Sequence, residues 1–171
     1  MSEPAIKLAD LPKAQAFALS DSERRQIEHE LAHYADPRAA SIEALKIVQK
    51  KRGWVPDGAI PELAKILGIG PAELEGVATF YSLIFRKPVG RHVIKVCDSV
   101  SCFLTGYDEI KAALEKKLGI RYGQTTADNR FTLLPICCLG ACDKGPVLMI
   151  DDDTHGDVTP ESLSKILENY A

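Results

Sequence analysis

Apolar residues recur at helical spacing through the first half of the chain and at strand spacing through much of the second. Ser20-Asp21-Ser22-Glu23 has the form of a capping box, and Ile27, Leu31 and Tyr34 follow on one face, which predicts a helix ending near Tyr34. Asp36-Pro37 reads as an N-cap with proline at the first helical position, opening a second helix with the stripe Ile42, Leu45 and Val48. Basic charge followed by glycine, Lys50-Lys51-Arg52-Gly53, stops it. A third helix opens at Asp57, buries Ile60, Leu63, Ala64 and Leu67, and closes at Gly68. A fourth opens at Pro71 with Leu74, Val77, Ala78 and Tyr81 on its apolar face. The links at Ala35-Asp36 and Gly53 to Pro56 are short enough to force neighbouring helices together as a bundle, with Trp54 packed into it.

The period changes around Arg86-Lys87-Pro88-Val89-Gly90. His92 to Val96 reads as a strand with Cys97 at its end, a loop carries Cys102, and a helix from about Thr105 presents Ile110, Ala113, Leu114 and Leu118 before Gly119. Phe131 to Ile136 is a second strand, interrupted by Pro135, and Val147 to Ile150 a third. Asp151 to Gly156 is expected as a turn, Asp157-Val158 as the start of a short fourth strand, and Thr159-Pro160 as the cap of a last helix with Leu163, Ile166, Leu167 and Tyr170. The expected division is a lead-in at 1–19, a helical bundle at 20–87 and an α/β layer at 88–171, an α+β protein with its site on loops at one sheet edge.

Composition narrows the function. At 171 residues and 46% hydrophobic content the chain can bury one sizeable core or two small ones. A net charge of -3 without a basic patch argues against nucleic acid. The longest uncharged run, Phe131 to Cys142, has 12 residues, too few for a membrane span. Met1-Ser2-Glu3-Pro4 lacks the pattern of a secretory signal, so a cytoplasmic location with reduced thiols is expected.

Four of the five cysteines form two close pairs, Cys97/Cys102 spaced C-x4-C and Cys138/Cys142 spaced C-x3-C, with 35 residues between the pairs. Two pairs and a long gap predict a four-thiolate site. Such a set suits tetrahedral zinc and an iron-sulfur cluster alike; spacing favours the cluster, since a 2Fe-2S core takes two thiolates on each iron. Gly140 and Gly145 permit tight turns whose amides can face anionic sulfur, and Lys144 adds charge of the right sign. Cys137 forms a second C-x4-C pair with Cys142, so the residues alone leave the choice of ligand open there. No C-x-x-C occurs, which ranks a thiol-disulfide enzyme last.

Other motifs are less productive. His29-Glu30-Leu31-Ala32-His33 is a literal H-E-x-x-H, but on a helix its histidines fall opposite the apolar stripe and the extended metalloprotease pattern fails at Asp36; a coincidence on a solvated face is expected. Asp151-Asp152-Asp153-Thr154-His155-Gly156 begins like a calcium loop, yet its twelfth position is Ser162 instead of glutamate. His92, beside a strand, is expected to be a structural or surface residue and not a ligand, and His155, in a polar turn, is expected to ligate still less. No G-x-G-x-x-G is present, Pro146 stands where a P-loop needs lysine, and no nucleophilic triad is evident.

Several separate stretches, in order, resemble one family. They are Asp36-Pro37-Arg38-Ala39-Ala40 through Ile47-Val48-Gln49-Lys50, Arg52-Gly53-Trp54-Val55-Pro56, Glu75-Gly76-Val77-Ala78-Thr79-Phe80-Tyr81-Ser82, and the two cysteine pairs. From about Ser20 to Ala171 the chain resembles the thioredoxin-like 2Fe-2S subunits of respiratory NADH:quinone oxidoreductase, complex I. The resemblance implies a thioredoxin-like second domain and a 2Fe-2S cluster held by Cys97, Cys102, Cys138 and Cys142, with Cys137 a neighbour. It further implies one-electron exchange with the FMN of a flavin- and NADH-binding partner subunit, and contact with a large multi-cluster subunit in the peripheral arm on the cytoplasmic side of the membrane. On that reading the chain catalyses nothing alone. The rivals are the equivalent module of an NAD-reducing hydrogenase or formate dehydrogenase, and, from a different class, a zinc-stabilised interaction module.

Overall fold

The computed structural model describes residues 17 to 170, and the chain divides after Pro88 into two compact units. Most of the expected lead-in, residues 1–16, lies outside the described residues. The end of that stretch belongs to the first unit: Leu19 is buried and Phe17 packs against the same core.

The helical unit is built from α1 (Asp21–Leu31), a 3-10 turn (Pro37–Ala40), α2 (Ser41–Arg52), α3 (Ala59–Leu67) and α4 (Pro71–Phe80). The capping box forms as expected, with Ser20 accepting from the Glu23 amide and Glu23 accepting from the Ser20 amide. The helix is shorter than its sequence pattern, because the Ala32, His33 and Tyr34 amides all bond three residues back and tighten the chain out of α geometry. Ile27, Leu45, Val48, Val55, Leu63, Leu67 and Leu74 form the core. Two aromatic expectations fail. Tyr81 turns extended at the end of α4 and is left 44% exposed, and Trp54 is half-buried while its neighbour Val55 takes the core position.

Two polar anchors were not legible from spacing. The Gln49 side chain accepts from the Phe85 amide at 2.6 Å and donates to the Leu83 carbonyl at 2.8 Å, which ties the chain after α4 back onto α2. Arg86 donates to the Val55 carbonyl and pairs with Asp57 and Glu75, both at 2.9 Å.

The second unit is a four-stranded sheet in the order β2-β1-β3-β4, made from β1 (His92–Cys97), β2 (Phe131–Ile136), β3 (Leu148–Ile150) and β4 (Asp153–His155). β1 and β2 are parallel; the other pairings are antiparallel. α5 (Val100–Leu104) and α6 (Tyr107–Leu118) make the crossover between the parallel strands, and α7 (Ser162–Glu168) follows β4. Ile94, Leu133 and Ile150 of the sheet share one core with Ile110 and Leu114 of α6 and Leu163 of α7.

Three differences from the sequence pattern stand out. The fourth strand is Asp153–His155, inside the expected turn, and Asp157-Val158 is not a strand. The turn proper is only Asp151-Asp152. Acids in this stretch have protein partners: Asp151 accepts from the Val93 amide at 2.9 Å and meets His92 Nδ1 at 2.6 Å, and Asp153 accepts from the Tyr170 hydroxyl at 2.9 Å. Cys102 lies in the short helix α5 and not in a loop. Among the described residues no helix is long and apolar enough to cross a membrane.

Candidate metal centre

Parallel pairing brings the remote cysteines together. The β1–β2 register ends with Cys97 opposite Ile136, so the chain leaving β2 enters Cys137-Cys138 beside the residue that closes β1. The Asp98 amide bonds the Ile136 carbonyl at 3.0 Å and the Cys97 amide bonds the Val147 carbonyl at 3.1 Å, which fixes both neighbouring segments to the end of the central strand. α5 then turns Cys102 inward. Cys97, Cys102 and Val147 form a small buried cluster against Leu139 and Ala141 of the cysteine loop.

The outer pair comes from that loop. Cys138 and Cys142 place their sulfurs 3.3 Å apart. Gly140 takes a left-handed φ of 82° between them, which favours glycine and lets its amide donate to the Cys138 sulfur at 3.3 Å. All five cysteines are free thiols; Cys97 and Cys102 are buried, whereas Cys137, Cys138 and Cys142 are exposed.

The expected ligands act on one another electrostatically, as groups sharing one site must. Burial pushes the Cys97 thiol up, but the Ser99 and Leu139 amides and the Cys102 side chain outweigh it, and the net direction is down. Cys102 is pushed up by burial and by its hydrogen bond to Cys97. Cys142 is pushed up by its hydrogen bond to Cys138 and that neighbour's charge, against help from the Ser101 hydroxyl. Thiolates crowded together in this way need positive charge, which a metal core supplies. Ser99, Ser101 and the Leu139 amide are contributors that sequence reasoning missed; the serines flanking Cys97 and Cys102 were the available signal. Lys144, expected to temper the charge, packs its stem against Gly156.

The sulfurs stand as a buried pair, Cys97 and Cys102, and an exposed pair, Cys138 and Cys142, a division that a core of two irons, each taking two thiolates, would fit.

The family described as thioredoxin-like [2Fe-2S] ferredoxin matches residues 27–171. The chain belongs to that family. Its cofactor is accordingly a 2Fe-2S cluster. The match begins at Ile27, inside α1, so most of the helical unit is included along with the whole sheet. The E subunit of NADH-quinone oxidoreductase from Escherichia coli (strain K12) is 67% identical over 159 residues, covering 93% of this chain and 96% of the relative. The protein of the same name from Pseudomonas aeruginosa is 64% identical over 162 residues, covering 95% and 98%. A crystal structure of an NAD+-reducing [NiFe]-hydrogenase in the H2-reduced state is similar with a TM-score of 0.65 at 24% identity, covering 77% of this chain and 22% of that longer one, a likeness of fold.

Proposed function

We propose that this chain is the 2Fe-2S electron-transfer subunit of an NADH:quinone oxidoreductase, and that Cys97, Cys102, Cys138 and Cys142 hold its cluster. The observation that carries this is the 67% identity to the Escherichia coli NADH-quinone oxidoreductase subunit, which runs over nearly the whole of both chains. The two-pair arrangement of the sulfurs supports the ligand assignment independently of the likeness.

When bound, the cluster supplies one-electron exchange. The chain's own part is to hold and screen it. Cys97 and Cys102, which are buried, and Cys138 and Cys142, which are exposed, would hold it. The Gly140 amide donates to the Cys138 sulfur, and the Ser99 and Leu139 amides favour the thiolate of Cys97, so all three stabilise negative charge on sulfur. Cys137, exposed and outside both pairs, is left as a neighbour.

The partners we infer are the flavin- and NADH-binding subunit and the large multi-cluster subunit, in the peripheral arm on the cytoplasmic side of the membrane. α5 supports a covered surface beside the cluster, because the helix that turns Cys102 inward leaves Val100, Phe103 and Leu104 at 72%, 55% and 78% exposure. NADH and FMN are assigned to the flavin-binding partner on the resemblance to the complex I subunits.

Anaerobic mixing tests the proposal. The cluster-loaded chain should keep its visible absorbance with NADH alone and bleach when the flavin-binding partner is added. Bleaching by NADH alone, or none with that partner present, would contradict it.

A further inference from the structure

Apart from the sulfur site, the described residues hold one further cluster of metal-binding side chains, at the C-terminal end of α1 and in the turn after it. His29 and Glu30 stand in the last turn of α1 and His33 in the tighter turn that follows it, which still sets the two imidazole rings side by side. Their centroids are 5.0 Å apart with the planes at 68°. Glu30 brings a carboxylate oxygen to 3.9 Å from His33 Nδ1. One donor atom from each of the three lies within 4.8 Å of the other two.

We propose that His29, Glu30 and His33 form a surface site for a borderline divalent transition-metal ion, represented here by Zn2+. Two imidazoles and a carboxylate select zinc, nickel or copper over magnesium and calcium, which prefer all-oxygen shells. Bonds of about 2.0–2.2 Å to a shared ion require the donors to close to roughly 3–3.5 Å. Rotation of exposed side chains supplies that contraction without moving the backbone. The backbone around the three is held by the buried Ile27 within α1 and by the bonds from the Ala32, His33 and Tyr34 amides to the His29, Glu30 and Leu31 carbonyls.

The surroundings define what the site can do. Three protein donors leave a position open for water or an anion. The adjoining depression of about 410 Å³ is lined by Arg25, Gln26, Ile47 and Lys50 together with His29 and Glu30. Its two basic side chains favour an anionic fourth ligand and weaken the hold on the cation itself. An exposed face lacks the cleft a metalloprotease needs, so the site binds and does not hydrolyse.

The test is calorimetric titration of zinc chloride into the cluster-loaded full chain under anaerobic conditions, with visible absorbance followed in parallel. The expected result is one ion per chain with the cluster spectrum unchanged. His29→Ala and His33→Ala should each weaken binding on the order of tenfold or more, since even outer-shell partners cost about 10–100-fold. Glu30→Gln should weaken it less. No binding by the parent chain, unchanged affinity in both histidine variants, or zinc uptake that bleaches the cluster in step would each overturn the proposal.

Discussion

Gly145 passes Thr105 so closely that a β-carbon on the glycine would stand 2.6 Å from the threonine hydroxyl oxygen and 3.6 Å from Cys102 Cα. That hydroxyl donates to the Ser101 carbonyl at 2.9 Å, at the end of the helix that carries Cys102. The cysteine loop and α5 therefore touch at a point with no spare volume. Gly145→Ala should destabilise the second unit by about 1–3 kcal/mol and speed loss of the cluster. Thr105→Ala in the same chain should recover most of this, because the atom that clashes is removed. Thermal loss of visible absorbance in the two variants measures it, and equal loss in both would refute the contact.

Glu23 is fully buried and takes Arg52 Nε and a second guanidinium nitrogen at 2.6 Å each. The Arg52 side chain beside it leads the effects that hold Glu23 near a pKa of about 2, well below 4.5. A depressed carboxylate adds stability that is complete above its unfolded value and lost as pH falls toward its folded one. The loss should therefore run from about 4.5 down to about 2. Arg52→Ala should cost about 3 kcal/mol at neutral pH, since it strands a buried charge. Urea unfolding followed by fluorescence of Trp54, the single tryptophan, reports the helical unit. A variant as stable as the parent would contradict the pairing.

These two cases show where the sequence is readable. The capping box and the helix stripes were legible because local spacing decides them. Arg52 read as a C-terminal charge, and nothing in spacing tells that it reaches Glu23 across 29 residues. Asp153–His155 looked like turn because its acids outweigh strand propensity, yet pairing with β3 and the Tyr170 bond hold it extended. The two cysteine pairs were visible as spacing, while their convergence rests on the register that sets Cys97 against Ile136.

The spare thiol offers a test of ligand choice. Cys137 is exposed and belongs to neither sulfur pair. Cys137→Ser should retain a full complement of iron, whereas serine at Cys97, Cys102, Cys138 or Cys142 should lower iron content or shift the spectrum. Iron and acid-labile sulfide assays decide between them. Loss of iron on changing Cys137, with Cys138→Ser unaffected, would move the ligand by one residue.

The most direct measurement is electron paramagnetic resonance of the dithionite-reduced full chain, with metal analysis on the same sample. A two-iron cluster predicts two irons per chain and a signal from one unpaired spin that is absent before reduction. A silent spectrum from a colourless protein carrying zinc would contradict the account.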